Sequence, residues 1–205
     1  MLKPILFNSP MVRAILEGRK TQTRRLIKNA PVLYEVGDPD RITFGTWLGR
    51  YTARFTWNGK AIGFDLPSPY QPGDILYVRE TWARGMTFET ADKFFYRADG
   101  ESDNVYKWRP SIHMPKEAAR IFLRVTDVRV ERLQAISADH CACEGIPLHR
   151  GLWRERESHY KKAFANLWDS TVNPSDIDRY GWNADPWVWV YKFEQISKED
   201  AYENI

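Results

Sequence analysis

Ala119–Leu133, ARIFLRVTDVRVERL, is the stretch on which the fold turns. Ile121, Leu123 and Val125 keep the two-residue period of a strand, and the apolar phase then jumps to Val128 and Val130. Successive strand residues point to opposite faces, so a one-residue slip carries every later valine to the wrong side. A β-bulge restores the phase and bends the strand, as closing a barrel requires. The stretch reads as one long strand or a strand pair, bulged or bent near its middle.

Working outward, Tyr70–Gly73 is turn material, and Asp74 leads into Ile75–Trp82, a run rich in β-formers. Trp187–Ile196 reads as the last strand. Trp187, Trp189, Tyr191 and Phe193 share one face, while Val188 and Val190 make the other face apolar too, as in a strand buried on both sides. Shorter strands are expected around Thr43–Trp47 and Tyr51–Trp57. Ser9-Pro10 opens a helix with Val12, Ile15 and Leu16 on one face and Gly18 as its stop. Ser137 caps a second short helix through Glu144, ended by Gly145, and 156–169 form a third whose face is Tyr160, Phe164, Leu167 and Trp168. Strands dispersed around three short helices predict an α+β fold, a small mixed β-barrel and not a doubly wound sheet.

Composition narrows the function classes. With 205 residues, 43% apolar and 14% aromatic, the chain can bury a core and is not generally disordered. No run approaches the roughly 18–20 apolar residues of a membrane span. MLKPILFNSP has no secretory cleavage site. Cys141 and Cys143 are too close for an ordinary staple, so a reducing, cytoplasmic location is expected. A net charge of +3 permits nucleic-acid binding without demanding it. Arg19, Lys20, Arg24, Arg25 and Lys28 crowd together with Glu17 as the one acid nearby, and a second basic stretch runs from Lys107 through Arg109, Lys116 and Arg120 to Arg124. Nine tryptophans fill a core or stack bases. The acidic tail beyond Lys198 is expected to fray.

Two places could carry chemistry. In Gly18–Arg25, GRKTQTRR, an ammonium lies beside hydroxyls inside a guanidinium cluster. A hydroxyl is a poor nucleophile until a base or positive field assists it, and a lysine with a depressed pKa supplies both. The bland alternative is a solvated basic turn. In an ideal strand Lys20 and Thr23 face apart; they converge only if Lys20 still lies in the turn. Glu144 is the second place: a carboxylate in the last turn of a helix meets the negative end of its dipole, which disfavours the charge. An exposed acid paired with an arginine is the alternative there. His140, Cys141, Cys143 and Glu144 lack the separated ligand pairs of zinc sites, and His113, His149 and His159 are scattered, so no metal and no cofactor are expected. Phosphate-binding and nucleophile-elbow motifs are absent from the sequence. Gly73-Asp74 reads as a turn device. Arg79 and Glu80, charges inside a confident strand, need a partner or a task.

Four blocks, in order, resemble the ASCH-domain family: GRKTQT at Gly18–Thr23, PGDILYVRE at Pro72–Glu80, the helix end at Ala142–Ile146 and the closing strand at Trp187–Glu194. PILFNSPMV and WRPSIHMP further resemble longer ASCH proteins of bacteriophages and prophages. The resemblance implies a PUA-like fold over about 1–196, with extra length around 29–70, 84–112 and 147–182 and an acidic tail at 197–205. It also implies RNA or a modified nucleoside as partner. Small ASCH proteins hydrolyse N4-acetylcytidine with a lysine, a threonine and a glutamate, which carry over to Lys20, Thr23 and Glu144. In that reading Thr23 attacks the acetyl carbonyl, Lys20 activates it, Glu144 relays protons, and Arg25 or a backbone N–H stabilises the oxyanion. Arg19, Arg24, Arg25, Arg79 and Glu80 are the candidate substrate- or RNA-binding side chains. Cleavage of single-stranded RNA and a non-catalytic RNA-binding or phage interaction module are the alternatives.

Overall fold

The computed structural model describes residues 2–28, 41–47, 49–57, 60–85, 93–102, 105–147 and 156–203. The strands are β1 (Leu2–Leu6), β2 (Gln22–Leu26), β3 (Arg41–Trp47), β4 (Arg50–Trp57), β5 (Lys60–Pro67), β6 (Ile75–Arg79), β7 (Trp82–Gly85), β8 (Lys93–Tyr96), β9 (Phe122–Arg132) and β10 (Trp187–Ile196). The helices are α1 (Ser9–Leu16), α2 (Ala138–Cys143), α3 (Arg156–Asp169), α4 (Ile177–Tyr180) and α5 (Lys198–Glu203).

Five strands form the main sheet in the order β1-β6-β9-β10-β2. β1 runs parallel to β6, from Leu2 opposite Ile75 to Leu6 opposite Arg79, and the other neighbours are antiparallel. β3-β4-β5 and β7-β8 are separate antiparallel sheets. The fold is therefore α+β with several sheets. Among the described residues no ladder joins the edge strands β1 and β2, so the barrel expected from the sequence is not closed by backbone pairing. Pro4, which lacks an N–H, lies on the β1 edge, where a missing donor is tolerated. A side chain bridges the two edges instead: Arg25 Nη2 on β2 donates to the carbonyl of Leu6 at 2.6 Å.

The phase jump in β9 has a local cause. Lys192 pairs with Asp127 and Phe193 with Val125, which leaves Thr126 without an opposite number. That extra residue keeps Leu123, Val125, Val128 and Val130 in one core, together with Trp189, Tyr191 and Phe193 from β10, Val12 and Ile15 from α1, and Phe55 from β4. Val188 and Val190 face a second core built with Cys141, Tyr160, Phe164 and Trp168 from α2 and α3. A third cluster gathers Ile75, Trp82, Met114, Phe122 and Ala201.

Several boundaries differ from the sequence expectation. Asn8, not Ser9, caps α1, because its side-chain oxygen reaches the Met11 N–H at 3.0 Å. Leu16 is exposed, and Ala14 joins Val12 and Ile15 on the buried face. β6 ends at Arg79, since Trp82 leaves to pair with Tyr96 and, in an isolated bridge, with Arg109. β1 and β5 were not expected: Lys3 and Pro4 interrupt the apolar pattern of the first, and glycine and proline obscure the second. The acidic tail does not fray as far as Glu203. Ser197 Oγ accepts from the Asp200 N–H at 3.0 Å, and Ala201 of α5 is buried. The expected insertions at 29–70, 84–112 and 147–182 lie partly outside the described residues, as does His149. Asp74 serves the turn as expected, accepting from the Gln71 N–H at 2.8 Å and from Lys3 Nζ at 2.6 Å.

Trp189 is 3% exposed in the largest core. Trp189→Ala is expected to cost about 3–5 kcal/mol of stability, read as a lowered urea midpoint with an unchanged slope. Unchanged stability would place this side chain outside the core.

Candidate functional site

The turn after α1 brings Lys20 under the end of α2. Gly18 takes a left-handed φ of 72°, and the N–H groups of Arg19 and Lys20 both donate to the Ala14 carbonyl at 2.9 Å. Ser137 caps α2, Glu144 follows its last turn, and Gly145 ends it at φ 98°. A Cβ on Gly145 would stand 2.8 Å from Ala14 Cβ and 3.3 Å from Lys20 Cβ. Only glycine therefore lets the two helix ends touch. The contact is tied by the Thr21 N–H donating to the Cys143 carbonyl at 2.9 Å.

Inside this contact lies a charged network. Lys20 Nζ donates to Glu144 Oε2 at 2.8 Å and to the carbonyls of Glu144 and Gln22 at 2.9 Å, which occupies all three ammonium hydrogens. Arg24 Nη1 donates to Glu144 Oε1 at 3.0 Å, and Arg24 Nη2 to Glu131 Oε2 at 2.8 Å. Arg129 holds the other oxygen of Glu131 and reaches Gln22 Oε1 at 3.1 Å. The side chains of Lys20 and Arg24 are fully buried, and that of Glu144 is 4% exposed. These ends of the basic turn are thus core and not a solvated face. Burial pulls the Lys20 amine below its ordinary value; Glu144 opposes that pull, and Arg25 and Arg24 add to it. Burial works to raise Glu131, but Arg129 and Arg24 overcome it and hold the carboxyl low. The unfavourable helix end at Glu144 is answered by two cations.

Thr23, Arg24, Arg25 and Glu144 line one cavity of about 240 Å³. Its apolar lining comes from Phe7, Met11, Phe164, Leu167 and Trp168, with Asn8, Thr81, Ser111 and Thr171 adding polar groups. Thr23 opposes Tyr191 in the β2–β10 ladder, and its hydroxyl has no hydrogen-bond partner among the described residues. Lys20 stands behind Glu144 and makes no hydrogen bond to Thr23. Arg25 stacks over Phe7, with its guanidinium carbon 5.1 Å from the ring centroid, and Arg24 lies 5.8 Å from that of Phe164.

The remaining candidates lie elsewhere. Arg19 is tied to Glu17 and to the Gly145 carbonyl at 2.6 Å, so it braces the contact from outside. Arg79 donates to the carbonyls of Met114 and Ile112 and so anchors the segment carrying Ser111 without lining the cavity. Glu80 is buried against Arg120, which also holds Asp99. Burial pushes the Glu80 carboxyl up and Arg120 pulls it back. Glu80, like Arg79, does not line the cavity. The second basic stretch is likewise divided, with Arg124 on Glu194 and Arg120 in the Glu80 pair.

Sequence reasoning missed the cavity's apolar wall. Phe164, Leu167 and Trp168 were read only as a helix face, since a stripe that seats a ligand and one that seats a core have the same spacing. Ser111 falls within the WRPSIHMP stretch, where proline on either side was its one signal. The Cys141 thiol is pushed up to about 12 by burial, so it stays protonated, and among the described residues no three His, Cys, Asp or Glu side chains gather as metal ligands.

The lowered Lys20 amine has a consequence for stability. Between its folded value and 10.5, the ordinary value, the unfolded chain binds the extra proton, so Lys20 makes stability rise with pH through that window. Lys20→Met is expected to flatten this rise, seen by comparing urea midpoints of the two proteins at several pH values from neutral upward. Parallel profiles would mean that the buried amine keeps its ordinary proton affinity. No protein-family model, curated protein or solved structure matches this chain.

Proposed function

We propose that the chain is an ASCH-type protein of the PUA-like class, working in the cytoplasm on RNA or a modified nucleoside, and that its cavity hydrolyses the acetamide of N4-acetylcytidine. The observation that carries this reading is the Glu144 carboxylate, shared by buried Lys20 and Arg24 on the wall of a cavity that Thr23 also lines. At about 240 Å³ the space is smaller than the roughly 300–1,000 Å³ of drug-sized pockets and suits a single base better than a polymer. Phe7, Phe164 and Trp168 line it with apolar surface that a base can contact.

The chemistry follows from the roles these groups can take. Thr23 Oγ1 bonds to the acetyl carbon while its proton passes to the Glu144 carboxylate, which the Lys20 ammonium and Arg24 hold in place. A backbone N–H stabilises the charge that develops on the carbonyl oxygen. The C–N bond then breaks, and the proton returns to the departing N4 amine. Water hydrolyses the acetyl-threonine ester, releasing acetate and restoring the hydroxyl.

Purified protein incubated with N4-acetylcytidine is expected to release cytidine and acetate, measured by chromatography. Thr23→Ala should abolish turnover, and Lys20→Ala should come close to doing so. Glu144→Gln should lower kcat by about 10²–10⁴-fold, the span of general acid–base assistance. A single-stranded RNA substrate is run beside it. RNA cleavage that survives Thr23→Ala but not Lys20→Ala would replace this reading with a ribonuclease that uses the RNA 2′-hydroxyl. RNA binding without any turnover would leave a non-catalytic module.

A further inference from the structure

The charges around the cavity do not balance for an uncharged ligand. Glu144 is the one acid among the residues that line it, and both of its oxygens are already taken, by Lys20 and by Arg24. Arg24 and Arg25 both line the same wall. Arg24 spends its two terminal nitrogens on Glu144 and Glu131, and Arg25 spends one on the Leu6 carbonyl. Arg24 Nε and Arg25 Nε are buried without a partner among the described residues. A buried guanidinium N–H with no acceptor is costly, and the cost grows with the charge it carries. Stacking on Phe7 and Phe164 covers the faces of the guanidinium groups and leaves their N–H edges unsatisfied.

Those two nitrogens are shielded, so a ligand meets the positive wall through Arg25 Nη1, which makes no hydrogen bond among the described residues, and its acceptor must bring negative charge and several oxygens. A phosphoryl group does both, and guanidinium groups match its geometry. The hydroxyls of Thr23, Thr81 and Ser111, which also line the cavity, can donate to the remaining oxygens. The apolar wall of Phe164, Leu167 and Trp168 is left for a flat ring. We infer that the cavity takes a phosphorylated pyrimidine, a nucleoside monophosphate or the phosphorylated end of an RNA, in preference to the free nucleoside, with Arg25 as the main phosphate contact. This rests on the nucleoside reading of the site for the ring and, for the phosphate, on the two arginines that line the cavity against a single carboxylate.

Titration calorimetry on the intact protein separates the two. Cytidine, cytidine 5′-monophosphate, cytidine 3′-monophosphate and inorganic phosphate are compared at low and high salt. One monophosphate is expected to bind at least roughly ten-fold tighter than cytidine, about the gain of one added charge-assisted contact. Raised salt and added inorganic phosphate should erode that advantage. Arg25→Gln should bring the two affinities level, and Arg25→Lys should retain part of the difference; a melting curve for each variant shows that it is folded. Oligonucleotides with 5′-phosphate and 5′-hydroxyl ends distinguish the sources, since a preference confined to the phosphorylated oligonucleotide assigns the site to an RNA end. Cytidine binding as tightly as both monophosphates overturns the phosphate inference and leaves the nucleoside reading standing. Inorganic phosphate binding as tightly as the monophosphates, with no cytidine binding, upholds the phosphate contact and removes the nucleoside reading. No binding of any of these probes overturns both.

Discussion

Glu144 carries a carboxylate into a place with almost no water, and two cations from β2 and the turn before it meet the carboxylate there. Little else in this part of the molecule can move independently of that meeting. Lys20 reaches it because α1 ends on Gly18, and Glu144 reaches it because α2 ends on Gly145, whose missing side chain leaves room for Ala14 and Lys20. Exchanging a buried ion pair for apolar residues is often neutral or stabilising, whereas removing one partner costs about 3–5 kcal/mol. The network is therefore a poor source of net stability and a strong source of position. It fixes where a carboxylate, an ammonium and a guanidinium stand relative to a cavity.

The network also explains the arrangement of the sheet. β2 is an edge strand, paired on one side to β10 only. An edge is the least restrained part of a sheet, yet Gln22, Thr23 and Arg24 on this edge are all buried. Glu131 on β9 holds Arg24, Arg129 on β9 holds Gln22, and Arg25 reaches across to the Leu6 carbonyl on the opposite edge. Side-chain bonds thus do for β2 what a second backbone ladder would do in a closed barrel. The opening they leave between β1 and β2 is where Phe7, Thr23 and Arg25 line the cavity.

How much of this the sequence displayed depends on the kind of signal. The bulge at Thr126 was legible because a strand has a strict period of two, and a broken period demands an extra residue. The ends of α1 and α2 were legible because glycine at a helix stop has a local cause. Closure of the sheet was not, since it depends on whether two edges distant in sequence pair, and nothing in the period of β1 or β2 records that. The sequence presented Lys20, Thr23 and Glu144 as two separate weak candidates, joined only by a family resemblance; in the structure Glu144 shares a charged network with Lys20 and a cavity lining with Thr23, while Lys20 and Thr23 do not meet. Arg79 and Glu80 were the reverse case. Charges in a strand demanded a partner or a task, and they have partners: the Met114 and Ile112 carbonyls for Arg79, and Arg120 for Glu80.

A last step concerns why Lys20 stands behind Glu144 and not beside Thr23. An ammonium with three acceptors in place is a fixed point, poorly suited to follow a reacting hydroxyl. Glu144 is different: it lines the cavity and also meets both cations, so it carries their hold to the cavity wall. Burial lowers the proton affinity of the amine behind it, and Arg25 and Arg24 lower it further. The carboxylate and the two arginines that line the cavity are thus positioned by one connected set of side-chain bonds.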